Sequence, residues 1–389
     1  MSDDIAMFMT LTDDERAYCD ALEDMLADKA SVERVQSLDN AKQFDFELHT
    51  ALGQLGAWGI GIDEAQGGSG GGSVMQVLTL EVLGRRATSM AVFGVIQFMA
   101  TQLLAKYGSP AQREQWLSPL VRGEIRASFC LTEAGGGTDI LAAMRTRAIR
   151  SESGWTLTGS KYWISGATRS DLLIVLARTA AHRTRGVTMF LVPARTPGVS
   201  ATELATFAIN GYDTCSITFD DVQLPADAVL GQQDEGFMQV VGTLNSERLS
   251  AAAVAAGIGR GALRLAVDYA KERHAFGRPI GQFQALQHKL VHAGLDLEAA
   301  WTLALSAARF KQEGRDVAIE SAMAKIACTR AGQKAANCGM DVLASAAFDI
   351  TVPMQRYYRD IRLYAFAPFT DEMVASFLGE RWLGLPRSY

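Results

Sequence analysis

The stretch Arg273-His-Ala-Phe-Gly-Arg-Pro-Ile-Gly-Gln-Phe-Gln284 decides the fold of this chain, because it is a turn between two helical patterns. Before it, the segment 244–271 is long, alanine-rich and free of proline. The tight turn Phe276-Gly277-Arg278-Pro279 ends the first helix and redirects the chain. It presents an arginine, an aromatic ring and an amide together, a set suited to an anionic, planar or amide-bearing ligand. After it, apolar residues recur at the spacing of a helix with one buried face, namely Phe283, Leu286, Leu290 and Leu297.

The composition is that of an ordinary globular protein, with room for two or three packed units in 389 residues. It is 48% hydrophobic and 21% charged, and its formal net charge of −6 argues against a dedicated nucleic-acid binder. We find no run of about 18 uncharged apolar residues, so we predict no membrane span. The acidic start Met1-Ser-Asp-Asp-Ile is unlike a signal peptide. Scattered cysteines, odd in number, predict reduced thiols and a cytoplasmic protein; they are Cys19, Cys130, Cys215, Cys328 and Cys338.

Hydrophobic periodicity divides the chain into a helical, a β-rich and a second helical part. Residues 11–121 have a mostly helical pattern. Helix returns between residues 239 and 383, with breaks at 276–279 and near Pro353. Between them, short β-rich runs predict antiparallel strands in a small sheet or barrel; the runs are 155–158, 172–177, 187–192 and 216–219. We therefore predict an α+β fold whose helical, β and helical domains are 1–122, 123–230 and 231–389.

Two further patterns have both a ligand-binding and a purely structural interpretation. The glycine-rich segment 67–73 has the composition of a phosphate cradle. No Lys-Ser/Thr follows it and no clear strand precedes it, so a flexible interhelical loop is favoured. His288 and His292 share a helix face, as two metal ligands would, but no carboxylate or cysteine nearby completes a metal site. A surface or core pair of histidines is therefore favoured over a metal site.

Three further segments, together with the turn, resemble the acyl-CoA dehydrogenase flavoprotein family. They are Phe129-Cys-Leu-Thr-Glu-Ala-Gly-Gly-Gly-Thr-Asp139, Lys161-Tyr-Trp-Ile-Ser-Gly166 and Tyr358-Arg-Asp360. The four motifs follow the family's order and spacing across most of the chain. The resemblance implies a helical amino-terminal domain, a central β-domain and a carboxy-terminal four-helix bundle. It also implies FAD as the cofactor and a homodimer or homotetramer, because the family's turn contacts the FAD of a neighbouring subunit.

The resemblance assigns several flavin contacts to the glycine-rich motif. The matches of Phe129, Leu131 and Thr132 line the isoalloxazine ring and its pyrimidine edge. Thr138 is placed at a flavin phosphate or near the thioester arm, which makes it a candidate for both cofactor and substrate binding. Gly137 lets the backbone approach a ligand closely, because glycine has no Cβ atom.

The remaining flavin contacts come from the next motif and from the helical part. The match of Trp163 lies against the flavin face. Ser165 stands where most members carry threonine, and its hydroxyl is placed near flavin N5. The set of cofactor-binding residues is completed by Arg273, Phe276, Gln284 and Thr370.

One segment departs from the family pattern. Before the Arg-Asp pair the family usually has a Gly-Gly-x-Gly turn near the FAD pyrophosphate of the partner subunit. Here the positions read Ala344-Ser-Ala-Ala347, and Asp341 stands where a glutamine is usual. We expect these side chains and the added negative charge to weaken the binding of the FAD pyrophosphate.

The catalytic base is also displaced from its commonest position. Oxidation of an acyl thioester between Cα and Cβ needs a base for the α-proton and a hydride acceptor for the β-hydrogen. Most members carry the base in a Glu-Gly-Thr triplet, which falls here on Pro368-Phe369-Thr370. The glutamate is absent, and proline lacks the backbone N–H that the family uses to polarise the thioester carbonyl.

A minority of the family, including isovaleryl- and long-chain-type enzymes, carries its base earlier, in a Glu-Arg-Leu context. Glu247 falls at this position, in Leu244-Asn-Ser-Glu247-Arg248-Leu249. A solvated first-turn glutamate favoured by the helix dipole is the structural alternative. The missing later glutamate favours Glu247 as the base, with Arg248 as a substrate-binding neighbour.

The resemblance thus predicts an FAD-dependent oxidoreductase of the EC 1.3 class that forms the α,β-double bond of an acyl thioester. The acyl group would be carried by CoA or by an acyl carrier protein, and electrons would pass to an electron-transfer flavoprotein or a similar acceptor. A flavin monooxygenase or oxidase on the same scaffold is one alternative. A subunit of a hetero-oligomeric dehydrogenase is another.

Overall fold

Helices form the first part of the structure, a computed structural model that describes residues 11–387. They are α1 (Asp13–Lys29), α2 (Val32–Ala41), α3 (Phe46–Gln54), α4 (Ser73–Arg86), α5 (Thr88–Tyr107), α6 (Pro110–Gln112) and α7 (Ser118–Val121). The helical prediction for this region is confirmed.

The segment 67–73 does lie between helices, and it is closely packed at Gly68. A Cβ atom there would lie 2.1 Å from the carbonyl oxygen of Ile62, so this part of the segment is not an open cradle.

An eight-stranded sheet follows. Its elements are β1 (Ala127–Cys130), α8 (Ile140–Ala143), β2 (Arg147–Arg150), β3 (Gly154–Ser165), β4 (Leu172–Arg178), β5 (Val187–Pro193), β6 (Val199–Glu203), β7 (Thr214–Pro225) and β8 (Val229–Leu230). The order is β6-β7-β3-β2-β4-β5-β8, with β1 also paired to β4. The four predicted strands are confirmed and pair antiparallel, β3 with β7 and β4 with β5. Strands β1 and β2, which were not predicted, run parallel to β4. Alternating hydrophobicity reports which face is buried and contains no information on strand direction.

Helix returns after the sheet. The elements are α9 (Gly236–Val241), α10 (Leu244–Glu272), β9 (His274–Ala275), β10 (Arg278–Pro279), α11 (Gln284–Gln312), α12 (Ala318–Leu343), α13 (Met354–Asp360) and α14 (Asp371–Arg381). The predicted helix before the turn and the predicted break near Pro353 are both confirmed. The turn is a small hairpin in which Phe276 and Gly277 have φ angles of 52° and 79°. Positive φ at both central residues is typical of tight hairpin turns.

The helices on either side of the sheet share one hydrophobic core. Helix α4 crosses α10 closely enough to require glycine at the contact. A Cβ atom on Gly257 would lie 2.1 Å from the carbonyl oxygen of Glu81, and one on Gly84 would lie 2.8 Å from that of Val254. A second core lies between α5, α7 and one face of the sheet, and a third lies on its other face. The sheet is therefore anchored on the helical body through α5.

Two helices, Thr88–Tyr107 and Leu244–Glu272, have the length and composition of a membrane span. In each, 72% of the most apolar window is buried inside the protein. Core helices of this kind meet the same criteria, so this is weak evidence for a membrane span. All of the cysteines are free and buried, and no disulfide joins them.

Candidate active site

The side chain of Trp163 marks the open face of the sheet near the end of β3. Trp163 has a φ angle of 62° and lies in a bulge, where β3 has one residue more than β7. A bulge re-aims the side chain it carries. The Trp163 side chain is 60% exposed, whereas Lys161, two residues before it, and Ile164, directly after it, are buried. The indole is therefore held out of the sheet, in a position suited to covering a planar ligand.

The segment that follows β1 is hydrogen-bonded to this part of β3. The Thr132 hydroxyl donates to the Tyr162 carbonyl at 2.5 Å, and the Tyr162 N–H donates to the Thr132 carbonyl at 3.0 Å. One residue before Phe129, the Ser128 hydroxyl donates to the carbonyl of Ser165 at 2.6 Å. The structure thus brings together the two motifs that were predicted to bind flavin. The side chains of Phe129, Leu131, Thr132 and Ser165 remain partly exposed there.

A buried ion pair lies beneath this junction. Lys161 is fully buried, and its ammonium group donates to the Glu133 carboxylate and to the Leu131 carbonyl, each at 3.0 Å. Glu133 also accepts the backbone N–H groups of Arg145 and Thr146. Burial lowers the pKa of Lys161, and the Glu133 carboxylate opposes that effect. The sequence analysis missed this pair; its only signal was a charged residue inside each of the two motifs.

The glycine-rich turn after Glu133 stays open to solvent. Gly137 and Thr138 are exposed, and a Cβ atom on Gly137 would meet nothing within 4 Å. Gly136 instead packs against α8, because a Cβ atom there would lie 2.1 Å from that of Ala143. The turn therefore packs against α8 at Gly136 and is open to solvent at Gly137 and Thr138, where a cofactor or substrate was predicted to bind.

The residues predicted to bind the flavin of a partner lie elsewhere, on the hairpin between α10 and α11. Arg273, Phe276 and Gln284 are exposed, and the Phe276 ring is 95% exposed. The backbone of Arg273 bonds to Tyr269 in α10 and to Ile280 across the hairpin. Within one chain they lie at the junction of α10 and α11, whereas Phe129 and Trp163 lie on strands β1 and β3 of the sheet. His288 and His292 are likewise exposed on α11, and residues 11–387 contain no group of three metal-ligating side chains.

The segment 344–347 begins with a residue in a backbone conformation that glycine favours. Ala344 has a φ angle of 50°, in the region that glycine favours. The expected repulsion by Asp341 needs correction, because Asp341 accepts a bond from the Lys289 ammonium at 2.7 Å. Both side chains of that pair are more than half exposed. The charge that was expected to oppose a phosphate is therefore compensated locally.

Glu247 lies in the first turn of α10 and is partly buried rather than fully solvated. Burial raises its pKa to about 7, against smaller lowering effects of the Thr243 hydroxyl and the Arg248 charge. The Thr243 hydroxyl lies 3.2 Å from a Glu247 carboxylate oxygen. A carboxyl group with a pKa near neutrality is suited to taking a proton and returning it. Thr243 was missed in the sequence analysis, although its position four residues before Glu247 places it on the same helix face.

The segment aligned with the usual base lies beside the first turns of α10. A cavity of about 220 Å³ is lined by Leu244 and Arg248 from α10 and by Phe369, next to Pro368. The Thr370 hydroxyl accepts the N–H of Met373 as the N-cap of α14, which leaves its proton free to donate. The structure thus places the start of α10, which carries Glu247, and the segment Pro368-Phe369-Thr370 next to the same cavity.

The chain matches family models along nearly its whole length. Residues 12–124, 128–222 and 234–383 match the amino-terminal, middle and carboxy-terminal domains of acyl-CoA dehydrogenase. Acyl-CoA dehydrogenase FadE12 of Mycobacterium tuberculosis is 32% identical over 358 residues, 90% of this chain and 92% of that protein. Butyryl-CoA dehydrogenase of Megasphaera elsdenii has a TM-score of 0.92 at 30% identity and covers 97% of this chain and 100% of its own. A glutaryl-CoA dehydrogenase of Mycobacterium smegmatis in complex with FADH2 has a TM-score of 0.91 at 26% identity, covering 97% and 96%.

The fold and these matches define a flavin-dependent oxidoreductase of the EC 1.3 type. The chain belongs to the acyl-CoA dehydrogenase family. The family's cofactor is FAD, and the open face of the sheet fits it. An indole held out of a bulge, apolar side chains beside it and hydroxyl groups at its edge suit a planar ring with a hydrogen-bonding rim.

Proposed function

We propose that this chain oxidises the Cα–Cβ bond of an acyl-CoA thioester, with Glu247 as the base. The observation that carries this proposal is the partly buried Glu247 carboxyl group, whose pKa is raised to about 7. The Glu247 carboxylate takes the α-proton, the β-hydrogen leaves as a hydride, and the carbon–carbon double bond forms. Bound FAD supplies the acceptor for that hydride.

The other residues of the site bind and orient. Trp163, Phe129 and Leu131 offer the flavin ring an apolar surface, and the hydroxyls of Thr132 and Ser165 lie at its edge. Thr138, on the open side of the glycine turn, faces the cofactor phosphates or the thioester arm. A neighbouring subunit supplies Arg273, Phe276, Gln284 and the segment 344–347 in a homo-oligomer. Electrons leave to an electron-transfer flavoprotein or a similar acceptor.

Substitution of Glu247 by glutamine tests the base directly. We expect Glu247→Gln to bind FAD normally and to lose thioester-dependent bleaching of the flavin absorbance, because an amide cannot take the α-proton. Glu272→Gln is the matched control, since Glu272 is exposed at the far end of the same helix. Bleaching at the wild-type rate in Glu247→Gln would refute the assignment.

The replacement of the usual glutamate by Pro368 supports a second candidate function, a flavin monooxygenase or oxidase. Anaerobic titration with acyl-CoA and acyl-carrier-protein thioesters separates the two. Bleaching by either thioester supports the dehydrogenase and identifies the carrier. A flavin that no thioester reduces, but that oxygen reoxidises quickly after chemical reduction, supports the oxidase. A chain that binds FAD only when it is co-expressed with a second protein supports the hetero-oligomeric dehydrogenase.

A further inference from the structure

One wall of the cavity beside Glu247 is formed by the carboxy-terminal part of the chain. Leu244 and Arg248, which flank Glu247 on α10, line one side. Most of the other lining residues lie in the segment 369–377, which we call the cavity wall; they are Phe369, Met373, Val374, Ser376 and Phe377. The shape of the cavity therefore depends on how this wall is held in place.

Few apolar contacts hold the cavity wall on the protein. Helix α14 packs on α12, where its one buried residue, Val374, joins a small cluster with Ala322 and Ile326. The side chains of Phe366 and Trp382, which lie on either side of the wall in the sequence, are more than half exposed. Apolar contacts are also non-directional, so they do not fix the exact position of the wall.

Lys325 of α12 supplies directional contacts to the start of this wall. Its side chain is fully buried, and its ammonium group donates to the Phe369 carbonyl at 2.9 Å and to the Asp371 carboxylate at 2.6 Å. Between these two residues, the Thr370 hydroxyl accepts the Met373 N–H at 3.2 Å. Hydrogen bonds thus fix three consecutive residues, and two of the three bind to Lys325.

Stability alone does not account for a charged pair at this place. Lys325 lies next to the apolar cluster of Ala322 and Ile326 on α12. Burial lowers the pKa of Lys325, and the Asp371 carboxylate opposes that effect. Apolar residues of similar volume often replace a buried ion pair with no loss of stability. What the ion pair adds is a fixed geometry for Phe369, which lines the cavity.

We propose that Lys325 is a positioning residue of the reaction, which fixes the segment 369–371 so that the cavity holds the acyl thioester at the Glu247 carboxylate. Because Lys325 is fully buried, it acts through Phe369 and Thr370 and not by touching a ligand. A displacement of about 1 Å in a group that positions the substrate can lower the rate about 100-fold. The inference rests on the proposed function, since Glu247 defines where the reacting carbon atoms lie.

Its test measures the rate constant of flavin bleaching per bound flavin at saturating acyl-CoA, together with KM. We expect Lys325→Met to lower this rate constant by about 10- to 100-fold with a smaller change in KM, because the bound thioester is no longer held at the base. Asp371→Ala, which leaves the Phe369 carbonyl in place, should lower it less. Lys334→Met, at a half-exposed lysine of α12, and Glu372→Ala, at the exposed neighbour of Asp371, are the matched controls and should leave it unchanged.

A wild-type rate constant per bound flavin in Lys325→Met would overturn the inference. A purely structural lysine changes the amount of folded, flavin-loaded protein, but not the rate at each loaded site. If Lys325→Met does not fold, Asp371→Ala decides in the same way against Glu372→Ala.

Hydrogen exchange of the backbone amides in residues 369–377, with and without butyryl-CoA, separates this inference from the proposed function. Lys325→Met and Asp371→Ala should speed exchange in the holoenzyme and reduce the protection that butyryl-CoA gives, whereas Lys334→Met should change neither. That result supports the positioning of the thioester by Lys325 even if no thioester bleaches the wild-type flavin. Exchange and protection equal to those of the wild type in both variants count against Lys325, whatever the reaction proves to be.

Discussion

The Glu247 carboxyl group owes its raised pKa to burial, not to a strong partner. Desolvation is the largest influence on its pKa and raises it, while the Thr243 hydroxyl and the Arg248 charge lower it. The lowering effect of the hydroxyl is limited, because Thr243 Oγ1 lies 3.2 Å from the carboxylate but 2.8 Å from the Val240 carbonyl. A solvated glutamate would be almost fully ionised at neutral pH and a weaker base.

The pH dependence of the reaction should follow this carboxyl group. We expect kcat/KM to rise with pH through about 7, because only the ionised form of Glu247 takes the proton. Thr243→Val removes the hydrogen bond that favours the ionised form, so the midpoint should move to higher pH. Thr302→Val, at a hydroxyl that bonds the Glu298 carbonyl in α11, is the control and should leave the midpoint in place. A profile that is flat between pH 5 and 9 would argue against Glu247.

The segment 131–133 and strand β3 form one hydrogen-bonded unit beneath the proposed cofactor face. Lys161 reaches from β3 to the Leu131 carbonyl and the Glu133 carboxylate, while Thr132 bonds the backbone of Tyr162. The contacts fix the Thr132 hydroxyl relative to the bulge that carries Trp163. The ion pair is therefore a positioning device, because neither of its charged groups is exposed to a ligand.

Breaking this ion pair should affect both stability and cofactor binding. We expect Lys161→Met to lower the free energy of unfolding by about 3–5 kcal/mol, because Glu133 is left buried without its cation. FAD should also dissociate more readily, as measured by fluorescence titration. Part of the stability should return in the double variant Lys161→Met/Glu133→Gln, which removes the uncompensated charge.

The matched control for that change is a solvent-exposed ion pair. Lys334 and Asp296 are about half exposed, so Lys334→Met should cost roughly 0–1 kcal/mol. A loss of that small size in Lys161→Met, with unchanged FAD affinity, would contradict the positioning role.

The sequence predicts the helices and the turn well, for reasons that are visible in single elements. The segment 244–271 has no breaker, and the observed helix Leu244–Glu272 ends where the turn residues begin. The parallel pairing of β1 with β4 was not predictable, since it depends on contacts between distant segments. The candidate site, too, was only partly predictable from the sequence. Motif matching predicted Glu247 and Trp163 as site residues, a prediction still to be tested, whereas the raised pKa, the buried Lys161 pair and the cavity at Arg248 come from packing.

The whole molecule is one helical body with a sheet attached to it. The core that joins α4 to α10 and α12 makes the two helical regions a single packed unit, although the sheet separates them in the sequence. The residues that we propose to face the flavin lie on the sheet, whereas Arg273, Phe276 and Gln284 lie exposed on the hairpin at the end of α10. A site that needs both groups can be completed by a second copy of the chain.

Subunit mixing tests whether the site is shared between copies. Trp163→Ala damages the sheet face and Arg273→Ala damages the hairpin, so each variant alone should bind FAD weakly. In a mixed dimer, the intact sheet of the Arg273→Ala chain meets the intact hairpin of the Trp163→Ala chain. One of the two sites in each mixed dimer should therefore be restored, so bound FAD should reach about half occupancy after co-expression and dual-tag purification of the mixed dimers. Trp163→Ala mixed with Phe129→Ala is the control, since two damaged sheet faces cannot form an intact site. No recovery in the first mixture would mean that each chain binds FAD without its partner's hairpin.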